Sequence, residues 1–178
     1  MSVPTIPPFQ VNIRPQFTIQ VTDEQLACVL TILANQSVNI VGYFIHKDKS
    51  TGLNTVKFVA GPTTSSDIAG TGTQNTTACQ VLKFLDIPFK VKQVIQILNP
   101  SPIGGTPGVV RQFYIALSGH VSVKASYVGE TNPGLGVSLI FETDDPQKAQ
   151  IIAQNPQNFP NNFDVNSCNP CSKKKKCH

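Results

Sequence analysis

The residues best equipped for chemistry stand at the end of the chain, where Cys168, Cys171 and Cys177 are crowded together with Lys173, Lys174, Lys175, Lys176 and His178. A Cys-x-x-Cys pair supplies half of a tetrahedral zinc site, and Cys177 with His178 offers two further ligand types. Adjacent ligands are awkward to seat on one ion, and four ammonium groups between the pairs oppose a cation. The same lysines favour the thiolate and suit the segment to exchange and oxidation. An odd number of cysteines leaves a thiol for a second chain. Metal binding, intermolecular cross-linking through Cys168, Cys171 and Cys177, and a plain solubilising end all stay open for this segment.

Elsewhere the chemistry is sparse. His46 and His120 sit at element ends, and neither has carboxylates at metal-motif spacing. Cys28 and Cys79 fall inside apolar helical patterns, where a free cysteine behaves as a small hydrophobe. Neither is placed for a Cys/His nucleophilic pair. No catalytic residue, metal or cofactor is expected.

The 178 residues, 40% of them hydrophobic, suffice for one sizeable core or two small ones. The formal charge of +4 comes from the four tail lysines, and the rest carries ten basic against ten acidic residues. A body so neutral gives no electrostatic case for a nucleic-acid groove. No apolar run approaches the roughly 20 residues of a membrane-spanning helix, and prolines occupy the start where a signal peptide would be apolar. The expectation is a cytoplasmic protein, with the outer layer of a bacterial spore as the alternative.

The elements that must position these residues follow from spacing. Pro4, Pro7, Pro8 and Pro15 favour an extended arm over residues 1–16, and Phe17 to Val21 reads as a short strand. Thr22-Asp23-Glu24-Gln25 fits a capping box, and Leu26, Val29, Leu30 and Leu33 line one helix face. Val38 to His46 and Thr55 to Ala60 make a hairpin with one wet face. Gly61 to Asn75 reads as a loop. Ala78, Val81, Leu82 and Leu85 give a second helix that Pro88 stops, and Phe89 to Leu98 is a long strand with Lys90 and Lys92 on one side.

That order then returns in shorter form. A helix opens at Thr106-Pro107-Gly108, with Val110, Phe113, Tyr114 and Leu117 as its apolar face. Val121 to Gly129 and Gly136 to Thr143 form a second hairpin. Asp145 caps a last helix that presents Ala149, Ile152 and Ala153. The repeat is about 85 residues and is one of element order. Asn155 to Ser167, rich in Asn, Pro and Gln, reads as a linker to the tail.

Two stretches carry a family likeness. Asp23 to Ala34 with Ser37-Val38-Asn39-Ile40 resembles the first helix and second strand of an ACT domain. Val94 to Leu98, Pro107-Gly108, Val121-Ser122-Val123 and Asp144 to Ala149 resemble the second copy in proteins made of two such domains. The resemblance covers roughly residues 17–154. It implies an α+β fold of tandem ferredoxin-like (βαββαβ, ACT-type) units, with antiparallel sheets and helices on one face. The units would span 17–93 and 94–154, between the arm at 1–16 and the linker and tail at 155–178.

The resemblance also implies a small-ligand site between the first strand and first helix of a unit. Exposed amides at a helix start, approached closely through glycine, hold a carboxylate. Gly104, Gly105, Thr106 and Gly108 meet that need, and Asn39 holds the matching strand position in the other copy. The first copy departs from the pattern, because Asp23 and Glu24 stand where Pro-Gly is expected and repel an anion. Ser122 replaces the strand asparagine in the second copy.

The expected function is accordingly non-catalytic. The leading reading is a self-associating binding or assembly protein, a homo-oligomer cross-linked or anchored through its tail, of a kind that would suit a spore layer. The rival is an amino-acid-sensing regulator that takes a small anionic ligand at Gly104 to Gly108. A weaker third is a tail-driven binder of anionic polymers or membrane surfaces.

Overall fold

In the computed structural model, which describes residues 10–61, 71–98, 109–132 and 136–155, helix α1 (Asp23–Asn35) starts as its sequence dictates. The Thr22 hydroxyl accepts the Gln25 amide at 3.2 Å, and the Gln25 side chain accepts the Thr22 amide at 3.0 Å. Two exposed amides are thereby satisfied at once. Leu26, Val29 and Leu33 are buried beneath it, with Leu30 packed at their edge. The helix ends as Ser37 turns to φ +57°, and the Val38 amide bonds back to the Leu33 carbonyl. Helix α2 (Thr76–Phe84), entered through a wide turn at Thr71–Asn75, stops the same way: Asp86 has φ +53° and the Ile87 amide reaches Leu82.

The strands are β1 (Gln10–Val21), β2 (Ile40–Lys47), β3 (Asn54–Ala60), β4 (Phe89–Leu98), β5 (Val123–Asn132) and β6 (Gly136–Thr143). Helix α3 (Val109–Ser118) precedes β5, and α4 (Pro146–Gln154) follows β6, its Lys148 amide capped by the Asp145 carboxylate. The order β-α-β-β-α thus occurs twice, as expected. The sheet does not split with it.

The expectation of two separate ferredoxin-like sheets is overturned: the strands form one closed antiparallel barrel in the order β1-β3-β2-β5-β6-β4. The cause lies in β1, which begins at Gln10 rather than Phe17. Gln10 to Ile19 pairs with Leu98 to Phe89 of β4, while Gln16 to Val21 pairs with Val59 to Asn54 of β3. The upper half of β4, Ile95 to Leu98, also takes β6 on its other side. Two long strands therefore belong to both halves. Pro15 is tolerated because it lies before the β3 ladder begins, where β1 has a strand on one side. Among the described residues a single pair, Gly42 with Gly129, joins β2 to β5 and completes the ring.

Strand alternation gives the barrel two different faces. The outer face carries two cores. Phe17, Ile19, Val21, Val56, Phe58 and Ala60 pack under α1 and α2, with Phe17 stacked on its cross-strand neighbour Phe58 at 5.0 Å. Val11, Ile95, Ile97, Leu139 and Phe141 pack under α3 and α4 against Phe113, Leu117, Ala149 and Ile152. The inner face holds a small apolar group, Val41, Val59, Val94 and Ile140 with Tyr127 beside it, among buried polar side chains.

Candidate ligand-binding site

Gly104, Gly105, Thr106 and Gly108 lie outside the described residues, directly ahead of α3, which opens at Val109 with no acidic residue in its first turn. Cys168, Cys171 and Cys177 lie outside them as well. Asn39 is described and exposed, and its backbone is committed to the protein itself. Its amide donates to Gln74 Oε1 at 2.7 Å, and its carbonyl accepts the Gly61 amide at 2.9 Å.

The start of α1 is closed to an anion for reasons now visible in full. Its capping box fills the amides, and two carboxylates flank it. Asp23 is held by Lys47 at 2.5 Å and by the Asn54 side-chain amide at 2.7 Å. The Lys47 hydrogen bond, then that of Asn54 and the Lys47 charge, keep its carboxyl below the ordinary range. The Glu24 carboxyl is likewise lowered, chiefly by a backbone hydrogen bond and by Thr22. Both groups stay ionised and repel a second negative charge.

Two expectations about thiols and histidines meet different ends. His46 and His120 are exposed at element ends as expected. Cys28 is exposed rather than buried, because it sits between Leu26 and Val29 on the flank of α1, whereas Cys79 is half-buried against the first core. Among the described residues no three His, Cys, Asp or Glu side chains gather as a metal site.

The residues that sequence reasoning missed line the inside of the barrel. The Tyr127 hydroxyl donates to Gln16 Oε1 at 2.7 Å, and Gln16 Nε2 donates to Glu142 Oε2 at 3.3 Å. Lys57 forms an ion pair with the same oxygen, and Lys92 approaches Oε1 at 3.6 Å. Burial alone would raise the Glu142 carboxyl; the hydrogen bonds from Lys57 and Gln16, with the charges of Lys57 and Lys92, outweigh it and hold the group below its ordinary value. The Tyr127 phenol is pushed well above its ordinary value by burial and then by the Glu142 charge.

One layer further in, Arg14, only 1% exposed, donates to Gln96 Oε1 at 3.3 Å and to the Ala60 carbonyl at 2.9 Å. Gln96 in turn donates to Ser138 Oγ at 3.0 Å. These side chains tie β1, β3, β4, β5 and β6 together across the lumen. The alternation Asn12, Arg14, Gln16 against Val11, Ile13, Phe17 is the signal of a strand, and the structure buries its polar face as well. The prolines before and within it point instead to an extended arm over residues 1–16.

No protein-family model matches the sequence, and none of the curated proteins matches it. Solved structures are similar in fold. Protein BT0572 from Bacteroides thetaiotaomicron superposes with a TM-score of 0.60 at 16% identity, over 80% of this chain and 87% of that one. The ligand-free regulatory subunit of aspartate kinase from Thermus thermophilus gives 0.53 at 11%, over 83% and 95%. The corresponding subunit from Thermus flavus gives 0.51 at 12%, over 84% and 94%. At these identities the likeness is one of fold alone, and the fold of this chain is ACT-like.

Proposed function

We propose that this chain is a non-catalytic, ligand-binding regulatory protein that takes a small anionic ligand, with an amino acid the first class to test, at Gly104, Gly105, Thr106 and Gly108. The observation that carries the reading is the inequality of the two helix starts. The α1 start is filled by its own capping box and ringed by Asp23 and Glu24. The α3 start follows three glycines and has no carboxylate in its first turn. A fold shared with the regulatory subunits of aspartate kinases supports a regulatory role by analogy. The test is thermal stability of the full chain against the twenty amino acids. A rise with one of them, abolished by Gly108→Asp, supports the reading; no rise with any of them counts against it.

Self-association is a second reading, favoured by β2. Beyond Gly42 its ladder to β5 has no further pairs among the described residues, and Tyr43, Phe44 and Ile45 are exposed there. An open, apolar strand edge invites pairing with another copy. Cross-links through Cys168, Cys171 and Cys177 would then lock the assembly. Native mass with and without reductant decides it: a monomer under both conditions removes this reading.

A further inference from the structure

The inner face of the barrel opens to solvent at one end. Along β1, Gln16 is buried, Thr18 half-buried and Gln20 exposed, so the polar lumen becomes a concave surface. Register fixes what shares that surface, since directly paired residues lie on the same face. Phe44, Lys57, Thr18 and Lys90 form one row across β2, β3, β1 and β4, and Gln16 and Lys92 belong to the next. Lys90 and Lys92 are thus about 7 Å apart along their strand, with Lys57 about 10 Å away across two strands. Two of these ammonium groups, those of Lys57 and Lys92, reach the buried carboxylate of Glu142.

We propose that this face is a ligand site, separate from the Gly104 to Gly108 loop, for a small phosphate-bearing dianion held by Lys90 and Lys92 with support from Lys57. Glu142 already demonstrates the chemistry, because Lys57 and Lys92 reach its two oxygens from different strands. One carboxylate cannot neutralise three lysines, and Lys90 and the exposed part of Lys92 keep their charge for a second anion. Phosphate offers several strong acceptor oxygens to such separated donors. Two clefts reach the lysines: one of about 340 Å³ contains Lys90 with Thr18, Gln20 and Thr55. The other, about 320 Å³, contains Lys92 with Lys124, Glu142 and Asp144. The carboxylate of Asp144 is turned to the Ser122 amide at 2.9 Å. Clefts of this size suit a small molecule rather than a polymer.

The experiment is calorimetric titration of the full chain with pyrophosphate at moderate salt. Binding should weaken about tenfold or more in the Lys90→Gln/Lys92→Gln variant, since hydrogen bonds to charged groups are lost. Lys90 is exposed, so Lys90→Gln alone should leave the unliganded melting temperature unmoved and still weaken binding, whereas Lys92 approaches Glu142 Oε1 at 3.6 Å and its loss also touches the fold. Gly108→Asp should bind pyrophosphate as the natural chain does, which separates this site from the proposed regulatory one. Absence of binding at millimolar pyrophosphate overturns the proposal. So does binding that survives the double lysine change and disappears when Lys173 to Lys176 are replaced by glutamine.

Discussion

Gly42 and Gly129 face each other across the seam where β2 meets β5, and theirs is the pair that closes the barrel. A Cβ added at Gly129 would lie 2.1 Å from the Val41 carbonyl oxygen, a backbone atom that cannot swing aside. One added at Gly42 would meet Ile140 and Tyr127 side-chain atoms at 3.0 and 3.1 Å, which can give way. Gly129→Ala should therefore cost about 2 kcal/mol or more by forced separation of the strands, and Gly42→Ala distinctly less. Urea denaturation of the two variants checks the order. Equal stability of Gly129→Ala and the natural chain would mean that the seam does not hold.

The Lys57 and Glu142 pair should respond asymmetrically to substitution. Lys57→Met leaves a nearly buried carboxylate with Lys92 as its remaining cation, at a cost of about 3 kcal/mol. Adding Glu142→Gln should recover much of that loss, because the stranded charge is gone. A double-mutant cycle by chemical denaturation reads the coupling. Two single changes that add without recovery would place the pair outside the energetics of the fold.

Stability should fall on both sides of neutrality for identifiable reasons. The folded-state carboxyl of Glu142 is lowered from 4.5, so its contribution is present above that value and is lost as pH falls through the lower folded value. The Tyr127 phenol is raised from 10.0, so its contribution is present below that value and fades as pH rises beyond it. Denaturation midpoints measured across pH should show both limbs. Glu142→Gln should flatten the acid limb, and Tyr127→Phe the alkaline one.

How much of this was legible in the chain depends on whether the signal was local. Thr22 with Gln25, Asp145 before Pro146, and the whole of Gly136–Thr143 were readable because caps and alternation act within a few residues, whereas α2 ends at the Asp86 turn rather than at Pro88. The barrel was not readable, because it depends on Gln10 to Gln16 joining β4, a pairing more than seventy residues distant in sequence that Pro15 seemed to forbid. The inner network failed for a related reason. Lys57, Lys92 and Glu142 each look like residues of a solvated strand face until closure brings them together. For the ligand loop, the closed state of the α1 start was foreshadowed by Asp23 and Glu24, whereas the engagement of Asn39 with Gln74 had no local signal.

The helix ends offer a stabilising change. Ser37 and Asp86 adopt left-handed backbone angles that cost an L-residue strain and cost glycine none. Ser37→Gly and Asp86→Gly should each raise stability by about 0.5–1 kcal/mol, since glycine's own entropic cost offsets part of the relief. Thermal melting of each variant tests this. A lowered melting temperature would show that the side chains contribute more than the strain.

The most direct measurement is the calorimetric binding isotherm of the full chain with whichever amino acid raises its melting temperature most. A regulatory site confined to the α3 start predicts one ligand per chain and no heat of binding in Gly108→Asp. Two ligands per chain, or an isotherm unchanged by Gly108→Asp, would contradict it.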